Sequence, residues 1–98
     1  MYYILNKRGQ PLPIGDVLEW GKWFATTNRI TARKRIGSVR VSTVFLGLDH
    51  SFGGGPPLLW ETMIFGGPHG DCKWRYSSLK DALAGHKDAV LLASGEGQ

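Results

Sequence analysis

The sequence predicts a small α+β domain, an antiparallel β-meander with two amphipathic helices packed on one face. Two observations carry most of that expectation. Helix caps at Asp16 and Ser78 open stretches with helical apolar spacing, and the chain between them alternates apolar and polar residues with the period of strands. Gly- and Pro-rich clusters punctuate the alternation, as turns between antiparallel strands do.

The elements follow in order. Tyr2, Tyr3, Ile4 and Leu5 are strand formers stopped by the polar turn Asn6-Lys7-Arg8-Gly9, and Leu12-Pro13-Ile14 resumes an extended path, which predicts a short hairpinned strand. Asp16 caps the first helix, with Glu19 completing a capping box. Val17, Trp20 and Phe24 share its inner stripe, with Trp23 beside them. From Asn28 the period changes to two, with Ile30 and Ala32 alternating against Arg29, Thr31 and Arg33, and Ile36-Gly37-Ser38 forms a turn.

Residues 39–48 are the clearest strand. Val39, Val41, Thr43 and Phe45 share one face, and Val44, Leu46 and Leu48 make the other apolar, as in a central strand. Residues 58–65 return as a strand with Leu58, Trp60, Thr62 and Ile64 on one face. Cys72, Trp74 and Tyr76 alternate with Lys73 and Arg75 in the last strand. Ser78 and Asp81 then open the second helix, whose inner face is Leu79, Ala82, Leu83, His86 and Val90. A single domain over residues 1–94, with a flexible tail at 95–98, is the expected organisation.

Composition agrees and sets limits on function. The chain has 98 residues, 42% hydrophobic and 20% charged, with a formal charge of +4. It is short enough for one core and too apolar for a disordered tail. A lone cysteine, Cys72, allows no internal disulfide and points to a reducing compartment. Residues 1–8 lack the apolar run of a signal peptide, and no segment has the roughly 20 apolar residues of a membrane helix. The expectation is a cytoplasmic protein without membrane contact.

Little catalytic chemistry is written in the residues. His69-Gly70-Asp71-Cys72 has a two-ligand spacing but no second pair, and a meander would hold His50 and His69 at opposite ends of one strand, so no metal is expected. Gly53-Gly54-Gly55 leads into Pro56-Pro57 and a strand, whereas a phosphate loop leads into a helix N-terminus. No motif calls for a cofactor. Cys72 reads as a buried structural thiol. Glu61, inside a strand, is expected either at an edge or paired with a base such as Arg40.

The net positive charge comes from the middle of the chain, where every charge between Glu19 and Asp49 is positive. Arg29, Arg33, Lys34, Arg35 and Arg40 are the candidate nucleic-acid-binding residues, because cations on alternating strands can line up along a phosphate backbone. A different binding site is offered by the loop Leu48-Asp49-His50-Ser51-Phe52-Gly53-Gly54-Gly55-Pro56-Pro57. It presents a carboxylate, an imidazole and an aromatic where binding residues commonly sit. Asp49, His50, Phe52, Trp60 and Glu61 are the candidate binding residues of that loop and its neighbourhood.

Residues 39–67, running from Val39-Arg40-Val41-Ser42-Thr43-Val44-Phe45 through Phe52-Gly53-Gly54-Gly55-Pro56-Pro57 to Trp60-Glu61-Thr62-Met63-Ile64-Phe65-Gly66-Gly67, resemble a signature of short, uncharacterised bacteriophage and prophage proteins. The resemblance implies an accessory protein of the bacterial host cytoplasm that binds, and inhibits or redirects, a host complex such as a defence system. The first expectation is therefore a non-catalytic module binding a host or phage protein complex. Nucleic-acid binding through residues 29–40 is an alternative, and a small hydrolase or nuclease built on His50 and Glu61 is another.

Overall fold

The computed structural model describes residues 1–49, 51 and 54–95. The elements run β1 (Tyr2–Leu5), β2 (Pro11–Ile14), α1 (Val17–Thr26), β3 (Ile30–Ile36), β4 (Val39–Phe45), β5 (Trp60–Phe65), β6 (Lys73–Tyr76) and α2 (Leu79–Ser94). Strands β3 to β6 form one antiparallel sheet in sequence order, and β1 and β2 form a separate two-stranded sheet. The class is α+β, as the alternation and the caps imply. His50 and Phe52 and the end of the C-terminal tail, residues 96–98, lie outside the described residues.

Local chemistry explains the turns and helix ends. Gly37 has φ 59° at the first central position of the β3–β4 hairpin, between the closing pair Ile36 and Val39, where a tight primed turn needs a residue without Cβ. Asp16 accepts hydrogen bonds from the amides of Leu18 and Glu19, and Ser78 Oγ accepts from the Asp81 amide. Helix α2 ends at Gly95 in the left-handed conformation.

Register puts Val41, Thr43 and Phe45 of β4 beside Ile64, Thr62 and Trp60 of β5, and all six are buried. Helix α2 crosses this face and contacts all four strands. Its buried residues are Ala82 and Ala89, with His86 and Val90 also on the sheet side, whereas Leu79 and Leu83, expected on the same stripe, are exposed. Small side chains let the helix backbone sit close to the sheet, and the larger leucines are left at the sides. In α1, Trp20, Trp23 and Phe24 turn inward while Val17, also expected there, is exposed.

The first helix and hairpin are stitched to the end of β4. Trp20 Nε1 donates to the carbonyls of Tyr3 (3.1 Å) and Gly47 (2.9 Å), and the Tyr3 amide donates to Gly47. Gly47 has φ 73°, and a Cβ there would press on Trp20, Phe24 and the Tyr3 carbonyl. Trp23 meets Phe45 edge-on, which brings α1 to the same side of the large sheet as α2.

The buried face holds a polar chain. Thr43 Oγ1 lies 2.6 Å from Thr62 Oγ1 and 2.8 Å from His86 Nδ1. Burial holds the His86 imidazole below its ordinary value, so the folded protein keeps it neutral while the unfolded chain protonates it near pH 6.5. The unfolded state then binds the extra proton, and stability falls as pH drops from about 6.5 toward the depressed folded value. In urea titrations between pH 7.5 and 5.5 the midpoint is expected to fall for the wild type and to fall less for His86→Leu; equal slopes would contradict this.

Among the described residues no helix is long and apolar enough to cross a membrane. Cys72 is a free thiol but only half-buried, because it sits where the turn feeds the edge strand β6, so the fully buried thiol expected from alternation is not found.

Candidate nucleic-acid interface

Helices cover one face of the large sheet, and among the described residues no helix packs on the other. Opposed residues of antiparallel neighbours share a face. Arg33 stands opposite Ser42, Arg35 opposite Arg40, Arg40 opposite Phe65, Glu61 opposite Arg75 and Met63 opposite Lys73. The open face therefore carries five cations from three of the four strands, β3, β4 and β6, with Ser42, Val44, Met63 and Phe65 between them.

Arg33, Arg35 and Arg40 line one recess of about 410 Å³ on this face. All three are exposed, and Arg40 lies over the Phe65 ring, 4.5 Å from its centroid. Arg35 and Arg40 face one another directly across a strand pair, where like charges repel. Among the described residues the ion pair on this face is Arg75 Nε to Glu61 Oε2 at 2.9 Å, so no carboxylate offsets the arginines of the recess.

The other basic candidates are placed elsewhere. Arg29 stacks on Phe24 at 3.7 Å and donates to the Phe45 carbonyl at 3.1 Å, and burial pulls its guanidinium below the ordinary value. It holds α1 to β4 and is not on the open face. Lys34 is opposite Val41, on the helix side of the sheet, as its parity between Arg33 and Arg35 requires. The predicted five-residue cluster is therefore a three-residue cluster extended by Lys73 and Arg75, two cations that the sequence reading left out.

Of the loop candidates, Asp49, Trp60 and Glu61 are described, and each is engaged within the fold; His50 and Phe52 lie outside the described residues. Asp49 is used internally: it accepts from the Ser51 amide (2.8 Å), the Ser51 hydroxyl (3.0 Å) and the Leu58 amide (3.0 Å). The Ser51 amide first, then its hydroxyl and the Leu58 amide, hold the Asp49 carboxyl below the usual carboxylate range. Trp60 is only 2% exposed, packed at 5.2 Å against Phe45, and belongs to the core. Glu61 reaches the open face, but its partner is Arg75, the residue opposite it in register, and not Arg40.

The depressed Asp49 carboxyl gives a testable sign. Its stabilisation is present above the ordinary carboxylate range and is lost as pH falls through the folded value. Asp49→Ala is expected to melt below wild type at pH 7, with the gap narrowing by pH 2 to 3; a gap that persists unchanged would remove the charged form as its cause.

Among the described residues no three of His, Cys, Asp and Glu gather as a metal site would need. The chain matches no protein-family model, no curated protein and no solved structure.

Proposed function

We propose that this protein is a non-catalytic binding module that takes single-stranded nucleic acid on the open face of its four-stranded sheet. The observation that carries this reading is the recess in which Arg33, Arg35 and Arg40 converge with no carboxylate paired to them among the described residues, two of them in direct opposition. A bound phosphate relieves that repulsion, so the site favours an anion before any specific contact is made.

Single strands fit better than duplexes. Among the described residues no helix stands on this face to enter a major groove, and the surface is a sheet with Val44, Met63 and Phe65 set among cations. Phe65 is 37% exposed, and an aromatic face beside guanidinium groups is the usual platform for unstacked bases. The resemblance of residues 39–67 to phage and prophage proteins supports an accessory role in which the protein occupies a nucleic acid, or redirects a host complex acting on one. The loop reading has less support, since Asp49 and Trp60 are spent on structure.

Fluorescence anisotropy with a labelled oligonucleotide of about 12 nucleotides tests this, matching the site sizes of such surfaces. With three phosphates neutralised, affinity for the single strand should fall roughly 20-fold between about 50 and 200 mM salt. Salt-insensitive binding, no binding, or tighter binding of the matching duplex would overturn the reading.

A further inference from the structure

The helix-covered side of the sheet holds a second feature, at the opposite edge from β3. Helix α2 lies mainly over β4 and β5, and beyond it a groove opens toward β6. Its lining is Trp74 and Tyr76 from β6 with Gly85, Asp88, Ala89 and Leu92 from α2, and its volume is about 260 Å³. Trp74 is 39% exposed, an unusual position for the largest side chain of a short strand. Gly85 makes the groove possible, because any Cβ at that position would collide with the Tyr76 ring.

The strand beside the groove is unpaired on its outer side. β6 ends the sheet order, and among the described residues it pairs with β5 alone. The Ile64 amide donates to the Cys72 carbonyl, so by alternation Cys72 and Trp74 direct their backbone groups to β5, and Lys73 and Arg75 direct theirs outward. A strand edge beside a helix offers backbone hydrogen bonds along one line and a side-chain pocket next to it, the arrangement used for strand addition.

The pocket also specifies charge. Asp88 is its one ionisable group besides the Tyr76 phenol, and it makes no ion pair among the described residues. Trp74 supplies an aromatic face, and Ala89 and Leu92 supply apolar ground for an alkyl stem. An aromatic face with a carboxylate favours an organic cation whose stem is buried and whose charge meets the acid.

We propose that an extended peptide adds to β6 as a fifth strand and places an arginine or lysine side chain between Trp74 and Asp88. This site is separate from the basic face, which lies on the other side of the sheet, and the two can be occupied together. A formal charge of +4 repels cations in general, so a preference for a basic peptide must come from the groove itself.

Isothermal titration calorimetry with the probe acetyl-Thr-Val-Arg-Val-Thr-Val-amide, its Glu-for-Arg counterpart, and a form with proline after the arginine tests the proposal. The arginine peptide should bind at least about tenfold more tightly than the glutamate peptide, and proline, which removes a ladder donor, should abolish binding. Asp88→Asn, at an exposed helix position, should erase the charge preference, and Trp74→Ala should weaken the arginine peptide while far-UV circular dichroism stays unchanged. Equal binding of the charged peptides, undiminished binding of the proline peptide, or an unaffected Asp88→Asn would overturn it. So would a concentration-dependent dimer that Trp74→Ala dissociates, which would make a second copy the occupant.

Discussion

Trp60→Ala is expected to remove most of the protein's stability and bring it to the edge of unfolding, and Trp60→Phe to leave it stably folded. Trp60 sits at the centre of the cluster with Phe45, Leu59 and Ala82, where Tyr3, Leu5, Trp23 and Tyr76 close around it. Truncating a buried Trp to Ala costs about 3–5 kcal/mol, against a total stability of about 5–15 kcal/mol that a domain this short meets at its lower end. Phenylalanine keeps most of the ring contact. It also removes the indole Nε1–H, which is buried without a hydrogen-bond partner among the described residues and costs about 1–3 kcal/mol as it stands. The smaller ring's lost contacts and the removed orphan donor nearly offset, so the net change should stay within about 1–2 kcal/mol. Urea denaturation followed by circular dichroism checks both. An alanine variant with a wild-type midpoint would return Trp60 to a surface role.

Replacing Arg33, Arg35 and Arg40 together by threonine is expected to weaken single-strand binding on the order of 100-fold at about 50 mM salt and to flatten its salt dependence. The same change should leave the fold as stable as wild type or slightly more so. Arg35 and Arg40 repel across β3 and β4 and have no offsetting acid among the described residues, and threonine is a good strand former on an exposed face. Loss of binding with a gain in stability separates a ligand site from a structural one, since residues kept for folding lose both together. A triple variant that melts well below wild type, or binds unchanged, would contradict this role.

The hydrogen-bonding and alternation rules carried the fold a long way. Asp16 and Ser78 cap the helices as their side chains allow, and the two-residue period of residues 39–45 places Val41, Thr43 and Phe45 on the buried face. What alternation alone does not reveal is a break in it. The register shifts between Ile30 and Ala32, so Ile30, which counting by twos puts with Ala32, is exposed and opposite Val44. Spacing places Ala82, His86 and Val90 of α2 toward the sheet but does not show how narrow that stripe is. Ala82 and Ala89 win over Leu79 and Leu83 because close approach is worth more than side-chain size.

The site was half visible for a similar reason. Parity joins Arg33 with Arg35 and excludes Lys34, and that much could be counted on the chain. The opposition of Arg35 to Arg40 depends on the Gly37-Ser38 turn closing in a particular register, and the addition of Lys73 and Arg75 depends on β5 joining two hairpins. Glu61 pairs with Arg75 for the same reason: a strand 14 residues away lies opposite it, which local pattern does not disclose.

The most direct test of the central claim maps where a nucleic acid touches the protein. With ¹⁵N-labelled protein and an unlabelled single strand of about 12 nucleotides, amide shifts should concentrate on residues 33–35, 40–44, 61–65 and 73–75, with α2 little changed. Shifts confined to α2, to the loop around Asp49, or spread evenly over the surface would contradict it.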